Sequence, residues 1–146
     1  MSKLGKIWVD LTKPNSIFVM KEFMLLIRNA IDSKADFTPE QDHAFLKSCQ
    51  VYIEKLTANG NMISAQPLVR EGKMLSGNKG AWQTGPFKEG RDVIVGYYHI
   101  KAKDLDEAIE IAQGNPEFEY TSAARVEVRP IKMKEETTSY VYPKGK

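Results

Sequence analysis

Two segments of this chain are apolar on both sides. Phe23-Met24-Leu25-Leu26-Ile27 has no polar alternation until Arg28. In Asp92 to Ala102, period two places Val93, Val95, Tyr97 and His99 on one face and Ile94, Gly96, Tyr98 and Ile100 on the other. Such segments read as strands of a sheet covered on both faces. Between them, Phe45, Leu46, Cys49, Tyr52, Ile53 and Leu56 recur at helical spacing and trace one face of a helix ending near Ala58. Its start is written in Thr38-Pro39-Glu40-Gln41: Thr38 as cap, Pro39 at the first helical position and Gln41 closing a capping box. Asn59-Gly60 supplies the left-handed stop.

The remaining elements follow from turn chemistry. Asn61 to Val69 reads as a strand, and Glu71-Gly72 as a tight turn into Lys73-Met74-Leu75, which together predict a hairpin. Ser76 to Arg91, with Gly77, Gly80, Gly85, Pro86 and Gly90, reads as loop. Trp82 and Phe87 in that loop either pack it down or form a rim over a pocket. Asp104 caps a second helix with Glu107 at its third position, and Leu105, Ala108, Ile109 and Ala112 form its expected buried stripe before Gly114 ends it. Pro116 to Thr121 is a connection, and Ala124 to Ile131 a last strand in which Val126 and Val128 alternate with Arg125, Glu127 and Arg129.

The order is β-α-β-β-α-β, which predicts an α+β, ferredoxin-like fold: an antiparallel sheet with two helices on one face. Two helices cover one side of a sheet whose first and third strands are apolar on both. A second copy packed sheet to sheet, giving a homodimer, is the simplest cover for the other.

Bulk composition narrows the function classes. With 146 residues, 42% hydrophobic and 27% charged, the chain is one ordinary globular domain. A net charge of +2 argues against nucleic acid as a partner. No apolar run approaches the ~20 residues of a membrane span, and no secretory signal is evident, so a cytoplasmic location and no membrane partner are expected. The single Cys49 forms no internal disulfide and, lying in the apolar stripe, reads as core rather than nucleophile. Two His residues without ligand-like spacing make a metal site unexpected, and Gly85-Pro86 removes an amide donor where a phosphate loop needs one, so no cofactor is expected.

Thr84-Gly85-Pro86-Phe87, then Gly96-Tyr97-Tyr98, Asp104-Leu105-Asp106-Glu107-Ala108 and Val126-Glu127-Val128-Arg129-Pro130 resemble the YCII-related family, and more closely its DGPF-domain branch. The opening Met20-Lys21-Glu22-Phe23-Met24-Leu25-Leu26-Ile27 is similar to that branch's N-terminus. The resemblance spans residues 20–131 and implies a dimeric α/β barrel, ferredoxin-like in each subunit. Residues 1–19 are then an extension, or Met20 the natural start, and 132–146 a tail whose Tyr140-Val141-Tyr142 could dock on a neighbouring subunit. A His–Asp pair has been proposed as an active site in some members; one relative is a dehydrochlorinase on a chlorinated hydroxyhydroquinone, and others are linked to sigma factors. Here Thr84 replaces the Asp of the branch motif, and Cys49 stands near the expected His, with His43 six residues upstream.

Candidate chemistry gathers on the sheet face away from the helices. Arg28, Tyr97, His99, Glu127 and Arg129 are expected there, Glu127 and Arg129 together opposite core-facing Val126 and Val128. They form either a structural ion-pair network or an anion pocket, with an Arg binding a carboxylate and His99 shuttling a proton. His43 reads as exposed beside Asp42. Three function classes follow: a dimer binding a small anionic or aromatic molecule on the sheet face, the ligand held by Arg28, Tyr97, Arg129, Trp82 and Phe87; a lyase- or dehydrochlorinase-like enzyme using His99 with Glu127 or Asp42; and a regulatory partner of a sigma factor.

Overall fold

A computed structural model describes residues 19–88 and 90–144. Ile7-Trp8-Val9-Asp10-Leu11, a small apolar patch that by sequence reads as a short strand or as a segment lying against the body, is outside the described residues. The elements run β1 (Lys21–Ala30), α1 (Pro39–Ala58), β2 (Met62–Pro67), β3 (Lys73–Asn78), β4 (Ala81–Pro86), β5 (Asp92–Ala102), α2 (Leu105–Gln113), α3 (Glu117–Tyr120) and β6 (Arg125–Pro130). The class is α+β. Four strands form an open antiparallel sheet in the order β2-β5-β1-β6, and β3 and β4 form a second, two-stranded one.

The first helix starts as its sequence dictates. Gln41 N donates to Thr38 Oγ1 at 3.1 Å, and Thr38 N donates back to Gln41 Oε1 at 2.8 Å. Asn59 closes its end and Gly60, at φ 78°, takes the left-handed conformation expected of it. Asp104 likewise caps α2 by accepting from Glu107 N at 2.9 Å. Phe23, Leu25 and Ile27 of β1 and Tyr98, Ile100 and Ala102 of β5 meet Tyr52 and Leu56 of α1 and Ala108 and Ala112 of α2 in one core.

Several expectations are overturned, each where a distant partner decides. The hairpin is not β2 with β3 across Glu71-Gly72: β2 pairs with β5, and β3 turns through Lys79-Gly80 to pair with β4. The glycine-rich stretch read as loop therefore contains a strand, since Gly80 at φ 87° provides the tight turn. The period-two division of β5 also fails. Ile27 faces Gly96 but Arg28 faces Ile94, so Val95 is an inserted bulge residue. One extra residue reverses the alternation: Val93 and Val95 are buried before it, Tyr98 and Ile100 after it, and Tyr97 and His99 turn to the opposite face. In α2 the buried positions are Ala108 and Ala112, while Leu105 and Ile109 are exposed; Leu46 of α1 is exposed too. The small alanines let α2 sit close on the sheet, which turns the larger residues outward. Pro116 to Thr121, expected as a connection, includes the short α3.

On the face opposite the core the register sets side chains in rows. Ser64, His99, Met24 and Arg129 lie across one row and Gln66, Tyr97, Leu26 and Glu127 across the next. Met24, Leu26, Tyr97 and His99 are half-buried there. The tail folds back on itself: Lys134 bridges to Val141, and the rings of Tyr140 and Tyr142 meet edge to face at 5.1 Å.

Candidate functional site

The bulge in β5 does more than redirect side chains. It lets the β2 edge approach closely at Gly96, where a Cβ would stand 3.0 Å from the Gln66 carbonyl oxygen. Above that edge α1 spans the sheet but does not fill the space beneath it. A cavity of about 540 Å³ lies between Phe45, Cys49 and Ile53 of α1 and Ala65, Val95 and Tyr98 of the sheet. Its volume is that of a small-molecule site, and its lining is mostly apolar.

Polar residues of the lining are Gln50 and Glu54 of α1, Gln66 of β2, and Asn115 and Glu117 of the segment after α2. Asn115 is 2% exposed and borders the cavity. Its Oδ1 accepts from Glu117 N at 2.9 Å, which fixes the amide orientation, and its Nδ2 has no hydrogen-bond partner among the described residues. Glu117, also bordering the cavity and buried, has its oxygens engaged: Asn29 Nδ2 donates at 2.7 Å and Lys34 Nζ at 2.9 and 3.1 Å. Burial pushes the Cys49 thiol up to about 11, with the Glu117 charge adding to the effect. Burial likewise raises Tyr98 well above the usual phenol range. Cys49 is thus a neutral thiol in an apolar wall, not an activated nucleophile.

The residues singled out from sequence lie mostly elsewhere. Tyr97 borders the cavity; Arg28, His99, Glu127 and Arg129 do not. On the opposite sheet face Glu127 accepts from Arg28 Nε at 3.3 Å and Arg129 at 3.1 Å. Arg28 also reaches Asp92 at 3.1 Å, which pairs in turn with Arg125 at 2.6 Å. His99 Nε2 lies 2.8 Å from Glu22 Oε1, so its partner carboxylate is Glu22 rather than Glu127 or Asp42. Arg129 and Arg28, in that order, hold the Glu127 carboxyl below the usual carboxylate range. Trp82 is 60% exposed on β4 and Phe87 packs against the core, and neither borders this cavity. His43 is exposed. Among the described residues no group of three or more His, Cys, Asp or Glu is placed to hold a metal ion, and no helix is long and apolar enough to cross a membrane.

The family model of the YCII-related domain matches residues 22–132. The chain belongs to the YCII-related family. No curated protein matches it. In this YCII-related chain Thr84 is an exposed β4 residue opposite Leu75 and takes no part in lining the cavity, whereas Cys49 does. Sequence reasoning missed Asn115 and Glu117. Gly114-Asn115-Pro116 signals only a turn, and nothing local distinguishes a buried amide without a partner from a solvated one.

Proposed function

We propose that this YCII-related protein binds a small, largely apolar molecule between α1 and the sheet, and that it does so as a homodimer. The observation that carries the reading is the mostly apolar cavity whose lining includes the buried Asn115 amide, unpartnered among the described residues. Buried donors are nearly always satisfied, so an orphan beside open space marks a place for an acceptor. The β2-β5-β1-β6 order with antiparallel neighbours favours the ferredoxin-like arrangement, with the β3–β4 hairpin as an insertion. Met24, Leu26 and Tyr97 on the face opposite the core support a second copy packed there, closing a barrel between subunits.

Titration with the uncharged fluorescent probe N-phenyl-naphthylamine tests the site. The wild type should bind it saturably, and Cys49→Trp, which fills the cavity from α1, should abolish binding while the protein stays folded by circular dichroism. Equal binding by both would overturn the reading.

The His99–Glu22 pair favours a second reading, an acid–base enzyme acting across the subunit seam. In that reading His99→Gln removes turnover of a test substrate without changing occupancy of the helix-side cavity, and unchanged turnover overturns it.

A further inference from the structure

Resting on the cavity reading above, the class of ligand follows from which polar groups in that space are already engaged. We propose that the cavity takes a neutral, mainly apolar molecule bearing one hydrogen-bond acceptor, a carbonyl or ether oxygen, which docks on the Asn115 side-chain amide. The amide cannot be turned the other way without losing the bond from Glu117 N at 2.9 Å, so a donor, not an acceptor, meets the ligand. Glu117 is already engaged there, its Oε1 accepting from Asn29 and Lys34 and its Oε2 from Lys34. Tyr98, on the sheet wall, carries a hydroxyl that makes no hydrogen bond among the described residues and is a second donor within the lining.

Charge argues against an anionic ligand in this helix-side cavity. The ionisable residues of the lining with formal charge are Glu54 and Glu117, and no Arg or Lys borders the space. A carboxylate ligand would find no unpaired cation in this lining to offset the loss of its hydration. A cation fares no better at the buried end, where Lys34 already balances Glu117 at 2.9 Å. An apolar body, which the walls of Phe45, Ile53 and Val95 accept, and one neutral acceptor remain.

Three probes with one ring skeleton separate the possibilities: ethylnaphthalene, acetonaphthone and naphthoate. The readout is protection of Cys49, the single cysteine of the chain and a cavity residue, from uncharged monobromobimane at mildly alkaline pH. Acetonaphthone should protect at a concentration about tenfold lower than ethylnaphthalene, the worth of one hydrogen bond to an otherwise unpaired donor. Naphthoate should protect least. Asn115→Ser keeps an oxygen for the Glu117 N–H, exchanges the amide donor for the single hydroxyl of a shorter side chain, and should narrow the gap between the first two probes. Tyr98→Phe, which leaves the ring packing intact, should narrow it. Equal protection by ethylnaphthalene and acetonaphthone, or strongest protection by naphthoate, overturns the ligand class while leaving the cavity reading in place. No protection by any of the three overturns both. The wild-type series decides even if Asn115→Ser fails to fold.

Discussion

Gly96 and Gln66 approach so closely that a Cβ on Gly96 would meet the Gln66 carbonyl oxygen at 3.0 Å and Pro67 Cα at 3.2 Å. Both neighbours are backbone, so relief requires the edge strand β2 to move away from β5. Gly96→Ala should therefore cost about 1–3 kcal/mol, the range of an overpacked site. Because Gln66, Pro67 and Gly96 all border the cavity, probe binding should weaken in the same variant. Urea unfolding and titration on one sample check both; a variant as stable as the wild type would show that β2 yields freely.

Glu117 holds the end of β1 to the segment after α2 through Asn29 and Lys34. The Lys34 and Glu117 side chains are only 16% and 11% exposed. Glu117→Leu leaves the Lys34 ammonium without its partner in a largely dry place and leaves the Asn29 amide with Thr121 alone, and should lose about 3 kcal/mol. Adding Lys34→Met should restore part of that loss. A double variant no more stable than the single one would mean that Lys34 finds water on its own.

Thr38 and Gln41 exchange two hydrogen bonds at the start of α1. Thr38→Ala should cost about 1 kcal/mol, seen as a lower urea midpoint with an unchanged slope. This reciprocal cap was legible in sequence, because cap, proline and glutamine lie within four consecutive positions and need no tertiary partner. The cavity was not legible. Its walls come from α1, both apolar strands and the Asn115 turn, and their alignment depends on a bulge that no local pattern announces.

Arg129 and Arg28 hold the Glu127 carboxyl below the usual carboxylate range. A carboxyl with a lower pKa folded than unfolded adds stability that is fully present above its unfolded pKa and is lost as pH falls through the folded one. Stability should thus decline on the acid side of the usual carboxylate range, and Glu127→Gln should flatten that part of the profile. Added salt should do the same, since these side chains are partly exposed. Unfolding midpoints across a pH series test it, and parallel profiles for both proteins would remove Glu127 from the account.

Burial pushes the Cys49 thiol up to about 11. Its alkylation by a small uncharged reagent should be slow at neutral pH and keep rising through the alkaline range, because only the thiolate reacts. A rate that levels off near pH 8.5, the ordinary thiol value, would place Cys49 in water rather than in the apolar wall.

Leu26 stands half-buried on the face opposite the core, between Tyr97 and Glu127. In the proposed homodimer Leu26→Lys puts a charge into the seam, and sedimentation should then show a folded single subunit where the wild type sediments as a pair. A wild type that sediments as a monomer at micromolar concentration sinks the dimer and the barrel with it.

The sequence by itself determined the ends of α1, the extent of β5, the cap of α2 and the class of fold. Each of these is written in residues a few positions apart, through capping hydrogen bonds and apolar periodicity. Only the tertiary structure decided that β2 pairs with β5 rather than with β3, that Val95 is a bulge residue turning His99 and Tyr97 to the opposite face, and that Asn115 is buried with a free donor beside empty space. Strand partners and burial are settled between segments far apart in the chain, and one inserted residue reverses every side chain beyond it.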